Sequence, residues 1–239
     1  MRDGLFRFDP ASGERAAPGR AALRPGATER FNDGKADPQG RFWVGTIYEP
    51  RTPPRAALYR WAAGRLDRMA GDVTVSNGLA FSPDGARCTG PTPPPTASAR
   101  WTSTAADGSL SRQRVFAEFP PQAAGQDLRG YGGRPDGAAV DAEGAYWVAM
   151  FEGQRLLRLA PDGQVLQEVP LPVRCPTMPC FGGPTCARSS SPPRAQPPAG
   201  RTGRAALGRL RAADACGRAR PARQLCAPVM SQPRSPAPP

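Results

Sequence analysis

Along this chain, short turns followed by alternating apolar and polar positions return at intervals. The segment DPQGRFWVGT at 37–46 recurs as DAEGAYWVAM at 141–150, and in truncated form as SPDGAR at 82–87. Each is a turn leading into an alternating strand. A second unit, in which an apolar strand runs into a turn, appears as GLFRFDPASGE at 4–14, ALYRWAAGRL at 57–66 and RLLRLAPDGQVLQE at 155–168. Its head positions Leu5, Leu58 and Leu157 are 53 and then 99 residues apart, the second spacing being about two periods of the first. Several short strands per period of about 50 residues predict the blades of a β-propeller.

Polar positions keep the same register. Asn32, Asn77 and Asp136 each lie five residues before the head of the first unit, at Asp37, Ser82 and Asp141. Equivalent positions of successive blades converge, and the innermost strands line a central channel. One oxygen-bearing side chain per blade would there form a ring of hard ligands. NG and DG are also ordinary turn dipeptides, but three in register point to a site. Trp43 and Trp147, at equivalent strand positions, are expected to pack between blades.

Composition narrows the chemistry. The 239 residues include 31 prolines and 27 glycines, which disfavours a mostly helical protein. Histidine is absent, which excludes Ser-His-Asp and Cys-His catalysis and histidine metal ligands. Carboxylates, amides and arginines must carry any chemistry. The six cysteines form no CxxC pair, so neither a zinc site nor a disulfide framework is inferred. No signal-peptide pattern and no apolar run of 18 residues occur, so a soluble, cytoplasmic protein without a membrane partner is expected. The formal charge of +12 is uneven, at +3 over residues 1–184 and +9 over 185–239.

The segments RFNDGKADPQGRFWVGT (30–46), VSNGLAFSPDG (75–85), RPDGAAVDAEGAYWVAMFEGQRLLRL (134–159) and LPVRCPTMPCFGGP (171–184) resemble successive signatures of the senescence marker protein/regucalcin/gluconolactonase family. The resemblance covers about residues 1–87 and 105–184. It implies an all-β, six-bladed propeller that hydrolyses a sugar lactone with one divalent metal, Ca²⁺, Zn²⁺ or Mn²⁺. It also implies that Asn77 and Asp136 are metal ligands, Asp136 the catalytic base, and Arg30, Asn32 and Glu49 substrate-binding residues. The family's remaining ligand, a glutamate in an N-terminal EGP-type motif, has no counterpart here. About four blades are recognisable, so the propeller is expected to be incomplete, with open edge strands and impaired activity.

Two stretches depart from the pattern. Residues 88–104, CTGPTPPPTASARWTST, place Pro93, Pro94 and Pro95 where the next strand pair belongs, and are expected to break the blade. The Arg/Pro-rich tail at 185–239 is expected to be disordered. Back-translated with permitted codons and read in a shifted frame, residues 88–104 and 185–194 regain family-like segments. Both stretches are therefore read as out of frame, and residues 1–184 as a partial propeller. The functional expectation is opening of a small-molecule sugar lactone to the aldonic acid, with no specific nucleic-acid partner. The alternatives are a non-catalytic calcium-binding regulatory propeller and a non-functional pseudogene product. A third, in which the arginines of the tail bind nucleic acid, predicts salt-sensitive affinity.

Overall fold

The computed structural model describes residues 4–16, 28–182 and 188–190. A short pair, β1 (Arg7–Phe8) and β2 (Arg15–Ala16), is followed by β3 (Glu29–Ala36), β4 (Phe42–Tyr48), β5 (Ala56–Ala62) and β6 (Arg65–Val73). Next come β7 (Ala80–Phe81), β8 (Arg87–Pro91), β9 (Ala97–Ser103) and β10 (Leu110–Glu118). After one 3₁₀ turn at Leu128–Gly130, β11 (Arg134–Val140), β12 (Tyr146–Phe151), β13 (Arg155–Leu159) and β14 (Val165–Pro170) precede β15 (Cys180–Gly182) and β16 (Arg188–Ser190). Strands β3–β6, β7–β10 and β11–β14 form three antiparallel meanders in chain order, flanked by the two-stranded pairs β1–β2 and β15–β16. These are the sheets of an incomplete propeller. Among the described residues no helix is long and apolar enough to cross a membrane.

The recurring sequence units have a common physical cause. In the first four-stranded sheet, Asp37 Oδ1 accepts the backbone N–H groups of Gln39 and Arg41, closing the turn into β4. Its Oδ2 accepts Trp43 Nε1 at 3.0 Å and Arg41 Nε at 2.6 Å. In the third sheet Asp141 repeats the arrangement, taking the N–H groups of Glu143 and Ala145, Trp147 Nε1 at 2.9 Å and Arg158 Nε at 2.8 Å. One carboxylate thus holds both the turn and the tryptophan that follows it. Ser82 and Asp84 replace this device in the second sheet, where no tryptophan follows.

The core lies between sheets. Trp43 and Leu58 of the first sheet pack with Leu79, Phe81, Ala99 and Trp101 of the second. Phe116 and Ala80 of the second meet Ala138, Tyr146, Val148 and Leu157 of the third. Trp147 packs with Leu171 and Phe181. Both tryptophans therefore fill inter-blade space, as expected.

The expected break at 88–104 does not occur. β8 and β9 pair from Arg87↔Thr102 to Pro91↔Ser98, and β9 continues the ladder to β10. Pro93, Pro94 and Pro95 fall in the connection between β8 and β9, where the missing N–H groups break no ladder bond. Ala97 N–H reaches Pro94 O at 3.0 Å to close this connection. Cys88 and Trp101 face the core, while buried Arg100 donates to Thr89 Oγ1 and Pro161 O and stacks 3.5 Å from the Phe116 ring centre. Burial lowers the Arg100 pKa to about 10. The expected disordered tail lies outside the described residues, apart from β16, which pairs with β15.

Trp43 is fully buried and anchored on Asp37. Trp43→Ala is expected to lower the unfolding free energy by about 3–5 kcal/mol, read from urea unfolding of the whole chain. A loss below about 1 kcal/mol would contradict its place in the core.

Candidate functional site

The segments that carried the polar register lie in or just before the first strand of each four-stranded sheet: Asn32-Asp33-Gly34 in β3, Asn77-Gly78-Leu79 before β7 and Asp136-Gly137-Ala138 in β11. Each segment touches its counterpart in the next sheet. Asn32 Nδ2 donates to Ser76 O at 3.1 Å and to Asn77 Oδ1 at 2.6 Å. Gly78 has φ +72°, and a Cβ there would lie 2.5 Å from Tyr146 Oη and 3.3 Å from Asp136 O. Glycine is needed at this position both for its backbone conformation and for the close approach. Gly137 N–H donates to Thr177 O at 2.7 Å, continuing the contact toward β15.

In the first sheet the position after the asparagine is Asp33 rather than glycine, and its side chain performs the coupling. Asp33 Oδ2 accepts Leu79 N–H at 3.0 Å, and the carboxylate also takes hydrogen bonds from the Gly34 and Gly78 amides. Burial raises the Asp33 pKa above its ordinary 3.8, against the lowering effect of these amides and of Lys35. Burial in turn lowers the Lys35 pKa, opposed by the charge of Asp33. Sequence reading did not single out Asp33, although its departure from the Asn/Asp-Gly pattern was visible.

These segments border an open cavity of about 100 Å³. Arg30, Asn32, Asn77 and Asp136 all line it, so four of the five residues named from the sequence converge. The fifth, Glu49, is exposed, is not among the lining residues, and pairs with Arg30, Nε to Oε1, at 3.4 Å. Arg30 Nη1 also donates to Asn32 Oδ1 at 3.0 Å. Guanidinium and amides thus form a chain, Arg30 to Asn32 to Asn77, that fixes which atom of each amide faces its neighbour. Ile47, Val75, Pro135 and Phe151 supply apolar wall.

The cavity has members that sequence reading missed. Arg134 lines it, pairs with Glu152 and lies 4.8 Å from the Phe151 ring centre. The signal was present: Arg134 precedes Asp141 by seven residues, as Arg30 precedes Asp37. Arg51 and Pro95 also line it. Pro95 belongs to the stretch expected to break the blade, and Arg51 to a loop without counterpart in the repeats.

The donors available to a cation are the Asn77 amide oxygen and the Asp136 carboxylate, oxygen ligands of the type hard divalent ions prefer. They fit such an ion in kind. In number they are few: no group of three His, Cys, Asp or Glu side chains is poised for a metal among the described residues.

The family model described as the SMP-30/gluconolactonase/LRE-like region matches residues 1–188. The chain belongs to this family. It is 47% identical over 186 residues to the 6-deoxy-6-sulfogluconolactonase of Pseudomonas putida, covering 77% of this chain and 60% of the relative. It is 34% identical to regucalcin of Sus scrofa over 193 residues, covering 72% and 60%. Among solved structures, a calcium-binding regucalcin from Agrobacterium tumefaciens superposes with TM-score 0.70 at 28% identity, over 79% of this chain and 61% of that one. A gluconolactonase from Xanthomonas campestris superposes with TM-score 0.58 at 28% identity, over 75% and 59%. The chain thus spans about 60% of the length of these curated relatives.

Asp33 supplies a pH test of the coupling between inner strands. With its pKa raised on folding, Asp33 binds its proton more tightly in the folded chain, so its contribution is fully present below 3.8 and is lost as pH rises through the folded value. Asp33→Asn keeps an acceptor for Leu79 and is expected to flatten this part of the stability profile, measured by urea midpoints from acid to neutral pH. An unchanged slope would show that Asp33 does not titrate as its burial requires. Asp33→Ala, which orphans the Leu79 amide, is expected to cost about 2–4 kcal/mol.

Proposed function

We propose that the cavity binds a sugar lactone and opens it by attack of water on the ring carbonyl, giving the aldonic acid. The observation that carries this reading is the convergence of Arg30, Asn32, Asn77 and Asp136, from three successive sheets, on one cavity. Their chemistry suits the reaction. Asp136 would accept the proton of the attacking water, and the same proton would then pass to the ring oxygen as the C–O bond breaks. Arg30 is held by Glu49 and Asn32, so its remaining N–H groups are pre-aimed at sugar hydroxyls, and orientation is obtained before substrate arrives. Phe151 and Pro135 offer the ring an apolar surface.

Asn77 and Asp136 would hold the single divalent cation, which when bound supplies Lewis-acid polarisation of the carbonyl. Two protein oxygens make a weak site for an ion such as Ca²⁺, which takes about 6–8 oxygen ligands. Low metal affinity, and turnover well below that of a full-length relative, follow for this chain. The alternative of a calcium-binding protein without turnover draws on the regucalcin resemblance and uses the same two donors.

The test is release of acid from glucono-1,5-lactone by the whole chain with Ca²⁺, Zn²⁺ or Mn²⁺ added. Hydrolysis above the buffer rate is expected, with a loss of about 10²–10⁴-fold in Asp136→Ala and return to the buffer rate on chelation. Activity that survives Asp136→Ala would remove the general-base assignment. Calcium binding with no lactone opening would favour the regulatory reading.

A further inference from the structure

The charges around the cavity do not all balance locally. Three guanidinium groups line it. Arg30 faces Glu49 and Arg134 faces Glu152, so each of these is matched by a carboxylate. Arg51 has no such partner: among the described residues its side chain makes no ion pair and no hydrogen bond, while its backbone N–H closes a turn on Tyr48 O at 3.0 Å. It is exposed and is one of the residues that line the cavity.

The backbone carries a second signal. Arg51 has φ +69°, a left-handed conformation that glycine or asparagine would adopt at less cost. Glu152, the partner of Arg134, is also left-handed, at φ 66°. Non-glycine residues thus hold this conformation at two points beside the same cavity, and one of them, Arg51, is a lining residue. A guanidinium without a carboxylate partner at the mouth of a cavity is a receptor for a tetrahedral or planar oxyanion, to which it can present two parallel N–H groups.

We propose that Arg51 is a specificity residue that receives an anionic substituent of the substrate, a sulfonate or phosphate on the end of the sugar remote from the reacting carbonyl. The proposal rests on the lactone-binding reading of the cavity and deepens it: the lactone is reached by Asp136, the anion by Arg51. Arg30 and Arg134 are less suited to the anion, because Glu49 and Glu152 already compete for their N–H groups.

The experiment measures binding by calorimetry to the whole chain, using glucono-1,5-lactone, its 6-sulfo-6-deoxy analogue and its 6-phosphate analogue, with hydrolysis followed separately. Tighter binding of at least one anionic lactone than of the neutral one is expected. Arg51→Gln should weaken the favoured anionic lactone about tenfold and leave the neutral lactone unchanged, and Arg51→Lys should keep most of the preference. Arg51→Gly relieves the left-handed strain, so it should raise the midpoint of thermal unfolding while losing the anion preference, which separates charge recognition from folding. A preference for the sulfonate or for the phosphate identifies the anion. Equal binding of all three lactones, or equal losses for neutral and anionic lactones in Arg51→Gln, overturns the proposal. So does an absence of binding by the wild-type chain. Charge-selective binding without hydrolysis would leave the proposal standing and remove the hydrolytic reading alone.

Discussion

Asn32, Asn77 and Asp136 are brought to one cavity by contacts between the inner segments of neighbouring sheets. Asn32 grips Ser76 and Asn77, Asp33 grips Leu79, and Gly78 lets Asp136 come close. Sheets that pack face to face through large apolar side chains would otherwise be free to slide along their interface. Hydrogen bonds at the inner edge fix that slide, since a backbone amide buried without its acceptor is costly. Asp33 shows the strength of the constraint, because a buried carboxylate is retained there despite the desolvation that raises its pKa.

The turn carboxylates contribute from the outer side of the same strands. Asp37 and Asp141 each bind two backbone amides, a tryptophan N–H and an arginine. This ties the angle at which β4 and β12 leave their turns to the tryptophan that packs against the following sheet. Turn geometry, sheet packing and cavity shape are thus consequences of a few oxygen acceptors at fixed spacing.

That spacing is why much of the fold and site was legible in the sequence. Asp37 and Asp141 repeat with their tryptophans, and the convergent Asn32, Asn77 and Asp136 were visible as polar positions in register with them. Arg134 shared that register with Arg30 and was passed over because its partner, Glu152, sits one residue off the repeat. Asp33 hid because its role depends on burial and on an amide 46 residues away. The prolines at 93–95 misled because composition shows that a ladder cannot pass through them, but not that β8 ends at Pro91 and β9 starts at Ala97. Arg51 belongs to a loop without a repeat, so only the folded chain reveals what it faces.

The incomplete ring bears differently on the parts of the site. The core clusters span adjacent sheets, and the ties at the inner edge are likewise between neighbours. Arg30, Asn32 and Asn77 need only the first and second sheets, while Asp136 needs the second and third. An arc of three sheets therefore suffices to orient these groups, because no link in the chain from Glu49 through Arg30 and Asn32 to Asn77 passes outside it. Among the described residues the hydrogen-bonding groups that line the cavity are held by their immediate neighbours, whereas a strong cation site needs oxygen donors on all sides.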